Sequence, residues 1–213
     1  ELTFGWCTNL QQIEFTADSE LQIIEKRAFF GSFVEEITLP SSVLEFSGEW
    51  CRRTEKLNKI KIIKNKQQNI ISYDNNIIIG KANLNCNNYD ILLFVPRNLN
   101  TITIPSFIKQ IGSYSFSDSL IQSILIPPQI THIYEGAFSK CSQLQQIEIS
   151  PSSNLKKISE TAFSSTSIQN IFIPTNVKKI REYTFSQCKQ LKKVEIPINS
   201  NLKTIKENAF FHS

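Results

Sequence analysis

The sequence predicts a β-rich solenoid, a right-handed coil of short parallel strands with an inserted β-hairpin segment. Three observations carry this. An aliphatic-to-Phe step recurs as IEKRAF (24–29), IGSYSF (111–116), IYEGAF (133–138), ISETAF (158–163), IREYTF (180–185) and IKENAF (205–210). An I-x-I segment recurs at a fixed offset from it. The composition leans toward strands, with apolar residues dominated by Ile and Phe, no Met, and six Gly.

Aligned on the aromatic residue, the repeat positions are Phe4, Phe29, Cys51 as a substitute, Phe116, Phe138, Phe163, Phe185 and Phe210. Apart from one long interval, the spacings are 22 or 25 residues. A unit of that size cannot bury its own apolar face, so a fixed period of this length means stacked coils that depend on their neighbours. The Phe residues should then form an interior ladder with one ring per coil.

The I-x-I segments lie at 13–15 (ending in Phe15), 37–39 (ending in Leu39), 60–62, 102–104, 124–126, 147–149, 171–173 and 194–196 (beginning with Val194). Their period of two reads as short strands with the aliphatics inward. Pro40, Pro105, Pro127, Pro174 and Pro197 follow directly. Lacking an N–H, each is expected to stop its strand. The 25-residue coils carry three extra residues, as in SPSSNLKKI against PTNVKKI, expected at the convex side.

Between Cys51 and Phe116 the period breaks. IISYDNNIIIG predicts two strands around an Asp-Asn-Asn turn, and ILLFVP a further strand after the Asn-rich loop NLNCNNYD. The expected organisation is one continuous solenoid domain, with repeats over 1–63, an inserted β segment over 64–100 and repeats over 101–213.

The units C-x-x-L-x-x-I-x-I and P-x-x-V-x-x-I-x-x-x-A-F-S, as in CSQLQQIEI and PTNVKKIREYTFSQC, resemble the BspA-type leucine-rich repeat along nearly the whole chain. The resemblance implies a solenoid from exposed surface proteins of bacteria and parasitic protists, used for adhesion to host cells, matrix proteins or other microbes. It brings no shared catalytic residue set.

No enzymatic chemistry is expected from the residues either. His132 and His212 are the only imidazoles, and neither has acidic or Cys neighbours at metal-ligand spacing. There is no Gly-rich phosphate loop, nucleophile elbow or paired-carboxylate motif. Neither a cofactor nor a metal is expected. Cys141 and Cys188 both fall three residues after a ladder Phe and two coils apart, too far for a bridge, so they read as buried thiols. Pairing of Cys51 with Cys86 stays open. No apolar run reaches the length of a membrane span. The start within the repeat pattern, without Met, predicts a piece of a longer polypeptide.

The repeat turns variable positions into surface columns. The middle residue of each I-x-I strand gives Glu14, Thr38, Lys61, Thr103, Leu125, Glu148, Phe172 and Glu195. Leu125 and Phe172 are expected to face outward as anchors for a protein partner, flanked by Glu148 and Glu195. A second column, just before the second Ile of each coil, contains Lys109, Lys156, Lys157, Lys178, Lys179 and Lys203. These six predict a lysine ridge suited to an anionic glycan or cell surface. Charge is also asymmetric along the chain, with nine acids against two bases in residues 1–50 and ten against twenty-one in residues 51–213. Nucleic acid is not expected, since the basic residues lack interleaved aromatics.

The expectation is therefore a non-catalytic adhesion or recognition module, at the cell surface or secreted. Its expected partners are a host-cell or extracellular-matrix protein or an anionic glycan, and self-association is a further possibility. The alternative is an intracellular scaffold that holds protein partners with the same repeats.

Overall fold

The computed structural model describes residues 1–213, apart from the side chain of Asn75. It is a β-solenoid of about eight turns with almost no helix. Most coils contribute to two rows of strands. In the first row, Gln12–Glu14, Glu36–Pro40 and Lys59–Ile63 pair in parallel, with Ile13, Ile37 and Ile60 in register. Ser123–Ile126 pairs in the same way with Gln146–Ile149, and Asn170–Phe172 with Lys193–Glu195. The second row is narrower. Gln110–Ile111, His132–Ile133 and Lys157–Ile158 are successive rungs, as are Ile23–Ile24 with Glu45–Phe46 and Lys179–Ile180 with Thr204–Ile205.

The third side of the coil is a turn that holds the ladder aromatic. Its rungs are backbone hydrogen bonds between coils: Gly136 N–H to the Glu160 carbonyl, Phe138 N–H to Ala162, and Lys140 N–H to Ser164. Two residues before the aromatic the backbone is left-handed, at Tyr114, Gly136, Thr161, Tyr183 and Asn208. It is left-handed again two residues after, at Asp118, Lys140, Ser165, Gln187 and His212. Non-glycine residues in this region cost about 1–3 kcal/mol each, and the intercoil ladder offsets that cost. Gly136 has a second constraint, because a Cβ there would lie 2.2 Å from the Tyr114 ring.

Inside the turn the rings stack. Phe116, Phe138, Phe163, Phe185 and Phe210 follow one another at centroid distances of 4.6, 5.2, 5.5 and 5.3 Å, their planes nearly parallel. Phe4 stacks on Phe29 at 5.2 Å. The Phe29 N–H bonds to the Trp50 carbonyl, which places Cys51 in the Phe register as expected. The ring itself comes from Trp50, fully buried 6.1 Å from both Phe29 and Phe94.

The ladder passes from one half to the other through the inserted segment. Ile70–Tyr73 and Ile77–Gly80 form the predicted antiparallel hairpin around a 3-10 turn, Asp74–Asn76. Ile91–Phe94 pairs antiparallel with the hairpin on one side and parallel with Gln110–Ile111 on the other, so the segment is built into the second strand row. Ile78 and Phe94 pack into the N-terminal core, whereas Ile77, Ile79 and Leu92 pack into the C-terminal core. A strand buried on both faces needs a continuous apolar run, which explains the triple Ile. Between Phe94 and Phe116 the place of a ring is taken by Arg97. Its guanidinium lies 4.8 Å over Phe94 and donates to the carbonyls of Ser115 (3.0 Å), Val95 and Tyr114 (both 3.4 Å) and to the Cys51 sulfur (2.9 Å).

Three expectations need correction, and the open question of Cys51 and Cys86 is answered. Residues 102–104 form no strand, although Ile104 is buried in the core. Pro40 does not end its strand but pairs in register with Ile63, and the ladder continues through the Ser41 N–H to the Ile63 carbonyl. Thr38, a member of the outward column, is buried. Cys51 and Cys86 are not paired: Cys51 is fully buried beside Arg97, Cys86 is exposed, and all five thiols are free. Cys141 and Cys188 are buried as expected, with their thiols directed at the Phe116 and Phe163 carbonyls. Burial pushes the Cys51 and Cys141 thiols up to about 11 and about 12, so neither is a nucleophile at neutral pH.

Candidate functional site

The two strand rows set the outward columns. In the first row Leu125 stands in register with Glu148, and Phe172 with Glu195. Leu125 is 53% exposed, with Glu148 and Glu195 also exposed. Phe172 departs from the expectation, since it is half-buried and packs against the C-terminal core. Glu195 is ion-paired with Lys193 at 2.8 Å. Among the described residues of the outward column Leu125 is therefore the most exposed apolar side chain.

The lysine ridge lies along the second row. The Thr131 N–H bonds to the Lys109 carbonyl and the Lys156 N–H to the Thr131 carbonyl; further along, the Lys203 N–H bonds to the Lys178 carbonyl. Lys157 pairs in register with His132, and Lys179 with Thr204. Lys109, Lys156, Lys178, Lys179 and Lys203 are exposed, and Lys157 is half-buried with its ammonium 5.5 Å over the Tyr134 ring. Among the described residues none of the six takes part in an ion pair. The adjacent cations do: Arg181 pairs with Glu160 at 2.6 Å and Lys206 with Glu182 at 3.6 Å. Glu160 and Glu182 belong to an acidic column with Glu135 and Glu207, three residues before Phe163, Phe185, Phe138 and Phe210 respectively.

His132 reports on this potential. Its ring stacks on Tyr134 and its Nδ1 lies 2.9 Å from the Thr131 hydroxyl. Burial, followed by Lys157 and Lys156, holds its pKa below the ordinary imidazole value. The unfolded chain thus binds the proton more tightly, so the stability associated with neutral His132 is present above about pH 6.5 and is lost as pH falls toward the folded pKa. Changing Lys156 and Lys157 to Gln should raise the His132 pKa measured by NMR titration of its ring protons. An unmoved pKa would mean that the ammonium groups are too well screened to act together.

A further cluster carried no signal in the repeat columns. Trp6, 57% exposed, packs edge-on against Phe30 at 5.4 Å, and the Arg53 guanidinium lies over both rings. Phe30 follows the ladder residue Phe29 directly, and that doubled aromatic is the only trace in the sequence.

The BspA type leucine rich repeat region matches in six copies, over residues 1–91 and 109–213. The chain belongs to this family. As a BspA-type leucine-rich repeat protein it is a repeat interaction module, on a fold that is typically a non-catalytic binding scaffold. Comparison with curated proteins gives no match. In fold the BspA-type chain is similar to a leucine rich cell surface protein of Faecalibacterium prausnitzii A2-165, with 22% identity over 99% of this chain and 65% of that one and a TM-score of 0.73. It is also similar to a leucine-rich repeat protein of Eubacterium ventriosum, with 20% identity over 96% and 65% and a TM-score of 0.65. The pneumococcal vaccine antigen PcpA gives 19% identity over 95% and 65%, with a TM-score of 0.57. The chain spans just under two thirds of the length of each. No helix is long and apolar enough to cross a membrane among the described residues.

Proposed function

We propose that this chain is the recognition part of an extracellular adhesion protein, and that its lysine ridge carries the electrostatic part of attachment to an anionic glycan on a host or microbial surface. The observation that carries the reading is the alignment of six lysines along one strand row, none ion-paired among the described residues while the neighbouring Arg181 and Lys206 are. The description of the Faecalibacterium protein as a cell surface protein supports the location. Leu125 and Glu148 on the first strand row offer a second contact, for a protein on the same surface. Each exposed ion pair contributes about 0–1 kcal/mol and is screened over about 8 Å at physiological salt, so only the array gives useful affinity.

Wild-type protein should be retained on immobilised heparin at physiological salt. Reversing Lys156, Lys157, Lys178 and Lys179 to Glu should abolish retention without lowering stability, whereas reversing Lys59, Lys61, Lys64 and Lys66 should matter less, Lys59 and Lys61 being already paired with Glu36. Equal behaviour of the two variants would reduce the ridge to a solvated face. An intracellular scaffold is the second reading, favoured by five unbridged cysteines, one of them exposed. Labelling of intact cells with a membrane-impermeant reagent separates the two.

A further inference from the structure

The inserted hairpin brings its exposed Tyr73 beside a second exposed ring, Phe107 of the following repeats. Phe107 occupies the position just before the second aliphatic of its coil, which is Ser42, Gln129, Asn154, Asn176 and Asn201 elsewhere. At that position the side-chain amides of Gln129 and Asn176 reach a carbonyl of the preceding coil, at Pro105 and Ser153. Phe107 has no such bond to make and is 42% exposed. Tyr73, at the hairpin, is 40% exposed and meets it edge-on at 5.3 Å. Neither ring belongs to either core.

The two rings line a groove of about 470 Å³ together with Tyr89, Asn87, Asn88, Asp90 and Lys109. A groove of this volume, with apolar rings and a few converging polar groups, has the make-up of a small-ligand site. The polar rim is free. Among the described residues Asn87, Asn88 and Lys109 make no side-chain hydrogen bond, whereas the Asp90 carboxylate is engaged by the Ala82 N–H. Lys109 is the first lysine of the ridge, and a second ammonium, that of Lys81, lies 5.5 Å over the Tyr89 ring. With the Lys109 ammonium on its rim and its one carboxylate already engaged, the groove complements a weakly anionic ligand that has both an apolar face and many hydroxyls.

We infer that this groove is a saccharide subsite, which takes one pyranose of an acidic polysaccharide of alternating uronate and hexosamine. The C–H face of the ring packs on Phe107 and Tyr73. Asn87 and Asn88 meet its hydroxyl or acetamido groups, and Lys109 meets the uronate carboxylate. The chain then continues from Lys109 onto the ridge, which meets its sulfates. The inference rests on the glycan reading proposed above and adds the part of it that charge alone cannot supply, recognition of the sugar ring.

The probes are a heparin-derived octasaccharide and the same octasaccharide desulfated and N-acetylated, which keeps the uronates and removes the ridge's partners. Binding is read by calorimetry and by saturation-transfer NMR with irradiation of the aromatic protons. The desulfated probe should receive saturation from wild-type protein, and Tyr73→Ala with Phe107→Ala should remove that transfer and weaken the heparin octasaccharide about tenfold. Tyr73→Phe with Phe107→Tyr should retain both. Reversing the four ridge lysines should leave the desulfated probe bound, which separates the two readings. If heparin is retained through the ridge but the desulfated probe receives no saturation, or if the double Ala variant binds it unchanged while its melting curve matches wild type, the groove is not a sugar site.

Discussion

Replacing Phe163 by Ala is expected to destabilise the chain by about 3–5 kcal/mol, the cost of deleting a buried aromatic ring and leaving a cavity. Phe163 is fully buried, with Phe138 at 5.2 Å on one side and Phe185 at 5.5 Å on the other. In a linear stack the loss is shared with the neighbouring coils through their common interfaces. Denaturant unfolding should therefore show a lower midpoint, and amide exchange should rise first at the rungs of Phe138, Phe163 and Phe185 rather than in the N-terminal core. Phe163→Leu should cost clearly less, since it keeps most of the volume. A near-wild-type midpoint for the Ala variant would remove the Phe ladder from the account of stability.

The second large effect should come from Arg97→Ala. The side chain is 1% exposed and fills the break in the ladder between Phe94 and Phe116. Its removal withdraws charge-assisted hydrogen bonds from the Ser115, Val95 and Tyr114 carbonyls and opens a void between the two cores. With bonds to a charged group at about 1.5–3 kcal/mol and a cavity in addition, a loss of about 3–4 kcal/mol is expected. Because Arg97 joins the halves, unfolding of the variant should show two transitions where the wild type is expected to show one. Arg97→Met separates packing from hydrogen bonding: it should restore part of the stability, and full restoration would show that the guanidinium fills space only. Buried charges replaced by apolar groups of similar volume are known to behave in that way.

The ladder and strand rows could be read from the sequence because each rests on a local pattern repeated many times. Ile37, Ile60, Ile124 and Ile171 are buried where a period of two put them. The family was legible for the same reason, and six copies of the repeat match. What escaped the reading depends on a single contact between distant residues. Arg97 appears as an ordinary polar residue after Pro96, and only the stacking of Cys51, Phe94 and Ser115 around it makes it a core group. Phe172 keeps its place in the alternation between buried Ile171 and Ile173, yet its ring is half-buried against the core, which alternation alone does not reveal. Tyr73 and Phe107 are thirty-four residues apart, and nothing in the repeat says that the hairpin brings them together. The left-handed residues beside each ladder aromatic were invisible because Thr161, Tyr183 and Lys140 stand where glycine would have announced the turn.

If the solenoid makes separate lysines act as one array, the salt dependence of binding to the heparin octasaccharide will show it. Each ammonium that neutralises an anionic group releases a counterion, so the logarithm of the binding constant should fall linearly with the logarithm of salt concentration, with a slope that grows with the number of contacts. Changing Lys156, Lys157, Lys178 and Lys179 to Gln one after another should lower the slope by about one per residue, on the scale set by phosphate contacts in nucleic acids. The same series at Lys59, Lys61, Lys64 and Lys66 should leave it unchanged. A slope insensitive to the ridge series, or equally sensitive to both, would mean that the lysines do not act as one array.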